Sequence, residues 1–152
     1  MPFTLEQLSD RAEIQDLLVR EAHALDKADW DAWEQAFTPD AEIDYSENQG
    51  EKGNPAAIRA WLAETFATFP AAQHLTSNTE IDLQGDVATA RSMQYIGVDM
   101  VYQGERRVVI SGIWFHDELT RTADGWRIHK RHEELAWRHN FPEDYAPPVP
   151  AR

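Results

Sequence analysis

The sequence predicts an α+β domain, and two contrasting halves predict it. Apolar residues recur at helical spacing up to Pro70, and beyond it long alternating runs are divided by turn signals. Helices first and an antiparallel meander afterwards place the helices on one face of a curved sheet.

The elements follow in chain order. Ser9 or Asp10 is placed to cap a first helix whose apolar positions are Ile14, Leu17, Leu18, Ala22 and Leu25, with Glu21 in the middle of that stripe. Asp29 caps a second helix carrying Trp30, Trp33 and Phe37, ended by Thr38-Pro39-Asp40. Ala41, Ile43 and Tyr45 alternate with Glu42 and Asp44, as in a strand with one buried face, so Tyr45 should point inward. After a loop over residues 49–53, Asn54-Pro55 starts a third helix that buries Ile58, Trp61, Leu62, Thr65, Phe66 and Phe69. Four strands are expected over residues 73–84, 87–102, 106–121 and 126–138, separated by Gly85-Asp86, Gln103-Gly104 and Ala123-Asp124-Gly125. Strands of this length bend, and Gly97 and Gly112 are the expected bulges. Residues 1–142 form a single domain on this reading, and the Pro-rich residues 143–152 form an extended or disordered tail.

Composition narrows the function. The 152 residues contain 27 acidic and 14 basic side chains, a formal charge of -13 that repels nucleic acid and anionic membrane surfaces. The absence of cysteine excludes thiolate catalysis, disulfides and Cys-based metal sites. No apolar run approaches the roughly 20 residues of a membrane span, and the N-terminus lacks the pattern of a signal peptide, so a cytoplasmic location is expected. The run His129-Lys130-Arg131-His132-Glu133-Glu134 superficially suggests a metal site. On a strand, residues three apart face opposite ways, so His129 and His132 do not converge. A solvated charged face is the better account, and neither a metal nor a cofactor is expected.

The element order, together with Arg11-Ala12-Glu13-Ile14-Gln15-Asp16-Leu17, Leu25-Asp26-Lys27 and Gln73-His74-Leu75 with Asn78, resembles the NTF2-like, or SnoaL-like, superfamily. The similarity is to the branch that contains scytalone dehydratase, bile-acid 7α-dehydratase and the dehydrochlorinase LinA. It implies a cone-shaped α+β barrel around one deep pocket, with Asp26 and His74 as a catalytic dyad and Tyr45 as an active-site tyrosine. Glu21 stands where those relatives place a lysine or a tyrosine, and Asp99 near the place of a second histidine or an aspartate. The resemblance thus implies a cofactor-independent lyase of the dehydratase type acting on a small hydrophobic, aromatic or polycyclic substrate. An isomerase, cyclase, epoxide hydrolase or aldehyde-releasing lyase uses the same scaffold, as does a non-catalytic binding module.

Physically, Asp26 would hold the His74 imidazole in one tautomer and leave its other nitrogen free to accept a proton. Glu21, in the middle of an apolar stripe, turns outward at a helix edge, pairs with a base such as Arg131, or lines the pocket as a proton donor. Trp30, Phe66, Trp114, Arg131, Glu21 and Asp99 are the expected substrate contacts. Trp114, Val108 and Ile110 supply an apolar sheet face for a homodimer or homotrimer.

Overall fold

The computed structural model describes residues 2–147. Three helices, α1 (Leu5–Asp26), α2 (Trp30–Glu34) and α3 (Pro55–Phe66), pack on one six-stranded sheet. Its strands are β1 (Phe37–Asp44), β2 (Lys52–Gly53), β3 (Ala71–Gln84), β4 (Val87–Tyr102), β5 (Glu105–Thr122) and β6 (Gly125–His139). They lie in the order β2-β1-β6-β5-β4-β3, antiparallel except for the β1–β6 pair. The four long strands match the expected runs within two residues at each end.

Several elements differ from expectation: α3 ends at Phe66 and does not carry Phe69, and residues 52–53 of the expected loop form β2. Thr4, not Ser9 or Asp10, caps α1, because Thr4 and Gln7 form a reciprocal capping box that satisfies two N-terminal donors. The second helix stops at Glu34, and Phe37, Thr38 and Pro39 belong to β1. Phe37 pairs with Ile128 of β6, so sheet pairing overrides the helical spacing of Trp30, Trp33 and Phe37. The β5–β6 register shifts after Gly112, as expected, since a Cβ there would collide with the Trp137 ring. No such shift falls at Gly97. The bend of β3 and β4 lies between Ser77 and Glu80, where Asn78 takes a positive φ of 48°.

Helix α1 is bound to the sheet by two matched polar clamps, three helical turns apart on its buried face. In the first, Asp10 accepts hydrogen bonds from Arg121 Nη2 (2.8 Å) and Trp126 Nε1 (3.1 Å). In the second, Glu21 accepts from Trp33 Nε1 (2.9 Å) and faces Arg131 Nη1 at 3.1 Å. The Arg131 guanidinium is also held by Asp117, through Nε at 2.7 Å and Nη2 at 2.9 Å, and lies 3.9 Å from the Phe115 ring centroid. Arg131 is 1% exposed and Glu21 2%, so this network is dry. Ile14, Leu18, Ile58, Ile113, Trp126 and Ile128 surround the clamps as a single core.

Removing the cation alone leaves two buried carboxylates without compensation, so Arg131→Met should destabilise the fold by about 3–5 kcal/mol. Adding Glu21→Gln and Asp117→Asn to that variant should recover part of the loss. Urea denaturation of both proteins measures it, and a triple variant weaker than Arg131→Met alone would contradict this account of the network.

Candidate active site

Helix α1 ends at Asp26 because Lys27 closes its last turn and Ala28 adopts a left-handed φ of 52°. The chain then turns away, leaving the Asp26 carboxylate directed at β3. There Asp26 Oδ1 lies 2.6 Å from His74 Nδ1, while the His74 backbone N–H donates to both carboxylate oxygens at 3.0 and 3.2 Å. The backbone bonds fix the carboxylate, and the carboxylate fixes the ring. With Nδ1–H donating to Asp26, the Nε2 lone pair of a neutral His74 is free to accept a proton. Phe66 stacks on the imidazole, with centroids 6.0 Å apart and planes 12° from parallel.

His74 borders a cavity of about 110 Å³ inside the curl of the sheet. Most of its wall is apolar, from Leu25, Trp61, Leu62, Phe66, Ile96, Val98 and Phe115. Tyr45 reaches it from the end of β1, buried and stacked 6.0 Å from Phe115. Its backbone anchors the following turn, accepting from Asn48 and Gly50 and donating to Glu51. The Tyr45 hydroxyl and Thr65 Oγ1 are both buried without a hydrogen-bond partner and both border the cavity. Burial pushes the Tyr45 pKa up, well above the usual phenol range, so the hydroxyl stays a donor.

The remaining expected site residues separate sharply. Asp26, His74, Tyr45 and Phe66 come together. Glu21 does not line the cavity: its carboxylate is used by Trp33 and Arg131 beneath the floor. Arg131 likewise lies under the floor rather than in the wall, because Asp117 and Glu21 hold it in the core. Asp99 is on the outer face, opposite in parity to the inward Val98, and is paired to Arg106 with its carboxyl held below the usual range by that bond. Trp114 is also on the outer face, 3.7 Å beneath the Arg91 guanidinium. Trp30 acts at one remove, edge-on to Phe66 at 5.6 Å. A wider trough of about 1080 Å³ runs over the outer face, lined largely by charged residues such as Arg91, Glu118 and Lys130, and the dyad does not border it.

Several residues of the cavity were not singled out by the sequence. The charged run on β6 is not a uniformly solvated face: Arg131 and Glu133 point inward, whereas Lys130 and His132 point outward. Glu133 is 6% exposed and borders the cavity. Burial pushes its carboxyl up to about 8, against the opposing pull of Asn48, Arg131 and Arg138. Two-residue alternation from Arg131 was the available signal for its direction.

The segment after β6 is not a free tail either. Phe141, Tyr145 and Pro147 cover one side of the cavity, and Asp144 accepts hydrogen bonds from Tyr102 Oη and Gln103 Nε2, each at 2.9 Å. Residues 143–147 of the expected tail thus include contacts to the domain, and residues 148–152 lie outside the described residues.

Because folding raises the Glu133 pKa from 4.5, the group carries no penalty below about pH 4.5 and a growing one as pH rises through about 8. Wild-type protein should thus lose stability relative to Glu133→Gln across that window. Urea midpoints measured against pH test this, and a constant difference between the two proteins would count against it.

The SnoaL-like domain family matches residues 6–132. An uncharacterized protein of Mycobacterium tuberculosis is 38% identical over 131 residues, covering 86% of this chain and 88% of its own. Among solved structures, a scytalone dehydratase-like protein of Novosphingobium aromaticivorans superposes with a TM-score of 0.81 at 19% identity, over 95% of this chain and 96% of that one. The type 2 hexachlorocyclohexane dehydrochlorinase LinA superposes with a TM-score of 0.79 at 18% identity, over 95% and 97%. At such identities the structural likeness carries the fold alone, and the family match extends over most of the chain. The chain belongs to the SnoaL-like family and has the NTF2-like α+β fold.

Proposed function

We propose that this protein is a cofactor-independent lyase that removes water, by β-elimination, from a small neutral substrate with an apolar body and a carbonyl group. The observation that carries this reading is the 2.6 Å contact between Asp26 and His74 at the edge of a mainly apolar cavity. Asp26 sets the tautomer and stabilises the imidazolium, and His74 Nε2 takes the proton from the carbon next to the carbonyl. The unpartnered Tyr45 hydroxyl donates to the carbonyl oxygen as negative charge develops there. An apolar wall favours a hydrophobic body, and a few convergent donors orient it. Arg138, the arginine of the cavity wall, is already engaged by Asn48 and Gln49, and Arg131 beneath it by Asp117 and Glu21, which favours a neutral ligand over an anion. Two structural neighbours bear names that describe eliminations, of water and of hydrogen chloride, which is consistent with this chemistry.

The test uses a panel of β-hydroxy ketones that includes the aldol of benzaldehyde and acetone, whose dehydration produces a conjugated, strongly absorbing enone. His74→Ala and Asp26→Asn, both folded by circular dichroism, should each lower kcat by about 10²–10⁴-fold. Near wild-type turnover in both variants, or no elimination by the wild type across the panel, would sink the reading.

A further inference from the structure

We propose that Glu133 is the acid of this site, delivering a proton to the departing hydroxyl while His74 takes the proton from carbon. This rests on the elimination reading above and supplies the step it leaves open. Glu21, expected as a proton donor, and Asp99, expected as a substrate contact, are committed elsewhere, to Arg131 and Arg106. Among the described residues lining the cavity, Glu133 has the only carboxyl group.

Its position suits the role. The β5–β6 register sets Glu133 opposite Phe115, and the β1–β6 register pairs Asp44 with His132, so Tyr45 and Glu133 come next to each other where β1 ends. His74 lies on β3, separated from β6 by two strands, yet the curl of the sheet makes both residues border one cavity. Base and acid therefore stand on different strands bordering the same cavity. No ion pair within 4.0 Å engages the Glu133 carboxyl among the described residues.

The electrostatics agree with the geometry. Glu133 is faced by Arg131 and Arg138 of its own strand, by Asn48 and Tyr45 from the segment after β1, and by Glu21 of α1. The two arginines are occupied by other partners, so burial dominates and the carboxyl remains protonated at neutral pH, close to the matching of pKa and working pH that acid catalysis favours. The other oxygen-bound protons of the wall belong to hydroxyls, those of Tyr45, Tyr145, Thr65 and Ser111, which are far weaker acids.

The step balances without a further reactant. His74 Nε2 accepts the carbon-bound proton, the C–H electron pair becomes the new double bond, and the C–O bond breaks toward oxygen. That oxygen takes the Glu133 proton and leaves as water. Return of the imidazolium proton to the Glu133 carboxylate, through solvent, restores both groups.

The experiment compares the benzaldehyde–acetone aldol with its O-acetyl ester, which gives the same enone but whose leaving group needs no proton. Glu133→Gln should lower kcat on the aldol by about 10²–10³-fold with KM changed by less than about threefold. The same variant should keep nearly the wild-type rate on the ester, whereas His74→Ala should lose both activities. Wild-type kcat on the aldol should fall as pH rises through about 8, with no such fall on the ester. That pair of wild-type profiles decides the matter even if Glu133→Gln does not fold. Equal loss on both compounds by folded Glu133→Gln, an unchanged aldol rate, or identical wild-type profiles would overturn the role of Glu133 alone. Elimination from neither compound by the wild type would instead bring down the lyase reading and this role with it.

Discussion

The Arg131 guanidinium is the constraint on which the rest of the site depends. It sits in the dry core with Asp117 on one side, Glu21 on the other and the Phe115 ring against it. Through Glu21 it fixes the rotation of α1 against the sheet, and through Trp33 it ties α2 to the same point. A buried ion pair of this kind adds little net stability compared with an apolar core of equal volume, but losing one partner leaves an uncompensated buried charge, which is strongly destabilising. The Asp10–Arg121–Trp126 clamp repeats that arrangement farther toward the N-terminus of α1, so the helix is set at two points rather than one.

Fixing α1 places its last residue. Asp26 reaches His74 because the helix axis is already set by Glu21, and the backbone N–H of His74 then orients the carboxylate that orients the ring. Above the same clamp, Phe115 forms the surface on which Tyr45 stacks. One cation between two carboxylates leaves the floor with a formal negative excess. Burial is nevertheless what lets the nearby Glu133 carboxyl hold its proton into the neutral range, against the pull of Asn48, Arg131 and Arg138. The apolar core, the buried network and the protonation of the cavity are thus parts of one arrangement.

Much of the fold was legible because its signals are local. Alternation and glycine-containing turns mark the four long strands, and Asn54-Pro55 marks the start of α3. Local signals misled where a distant strand competed, as at Phe37, whose helical spacing from Trp33 yields to pairing with Ile128. Of the site, the pair Asp26 and His74, with Tyr45 and Phe66, was legible through motif and parity. Glu21 was recognised as an acid on an apolar helical face, but whether it met solvent, a ligand or Arg131 depended on a residue 110 positions away. Glu133 was lost in a run of charges, and the aromatic residues Phe141 and Tyr145 in a Pro-rich ending.

By itself, the sequence determined most of the helices and long strands and which side chains can ionise, because periodicity, capping and side-chain ionisation are properties of short segments. Only the tertiary structure decided which of those groups share a cavity. The sheet must curl before β3 and β6 can enclose one space, and parity on a strand acquires an inside only then. Burial, which turns Glu133 from a surface charge into a neutral acid and Glu21 from a possible donor into a structural counter-ion, is a property of the packed whole.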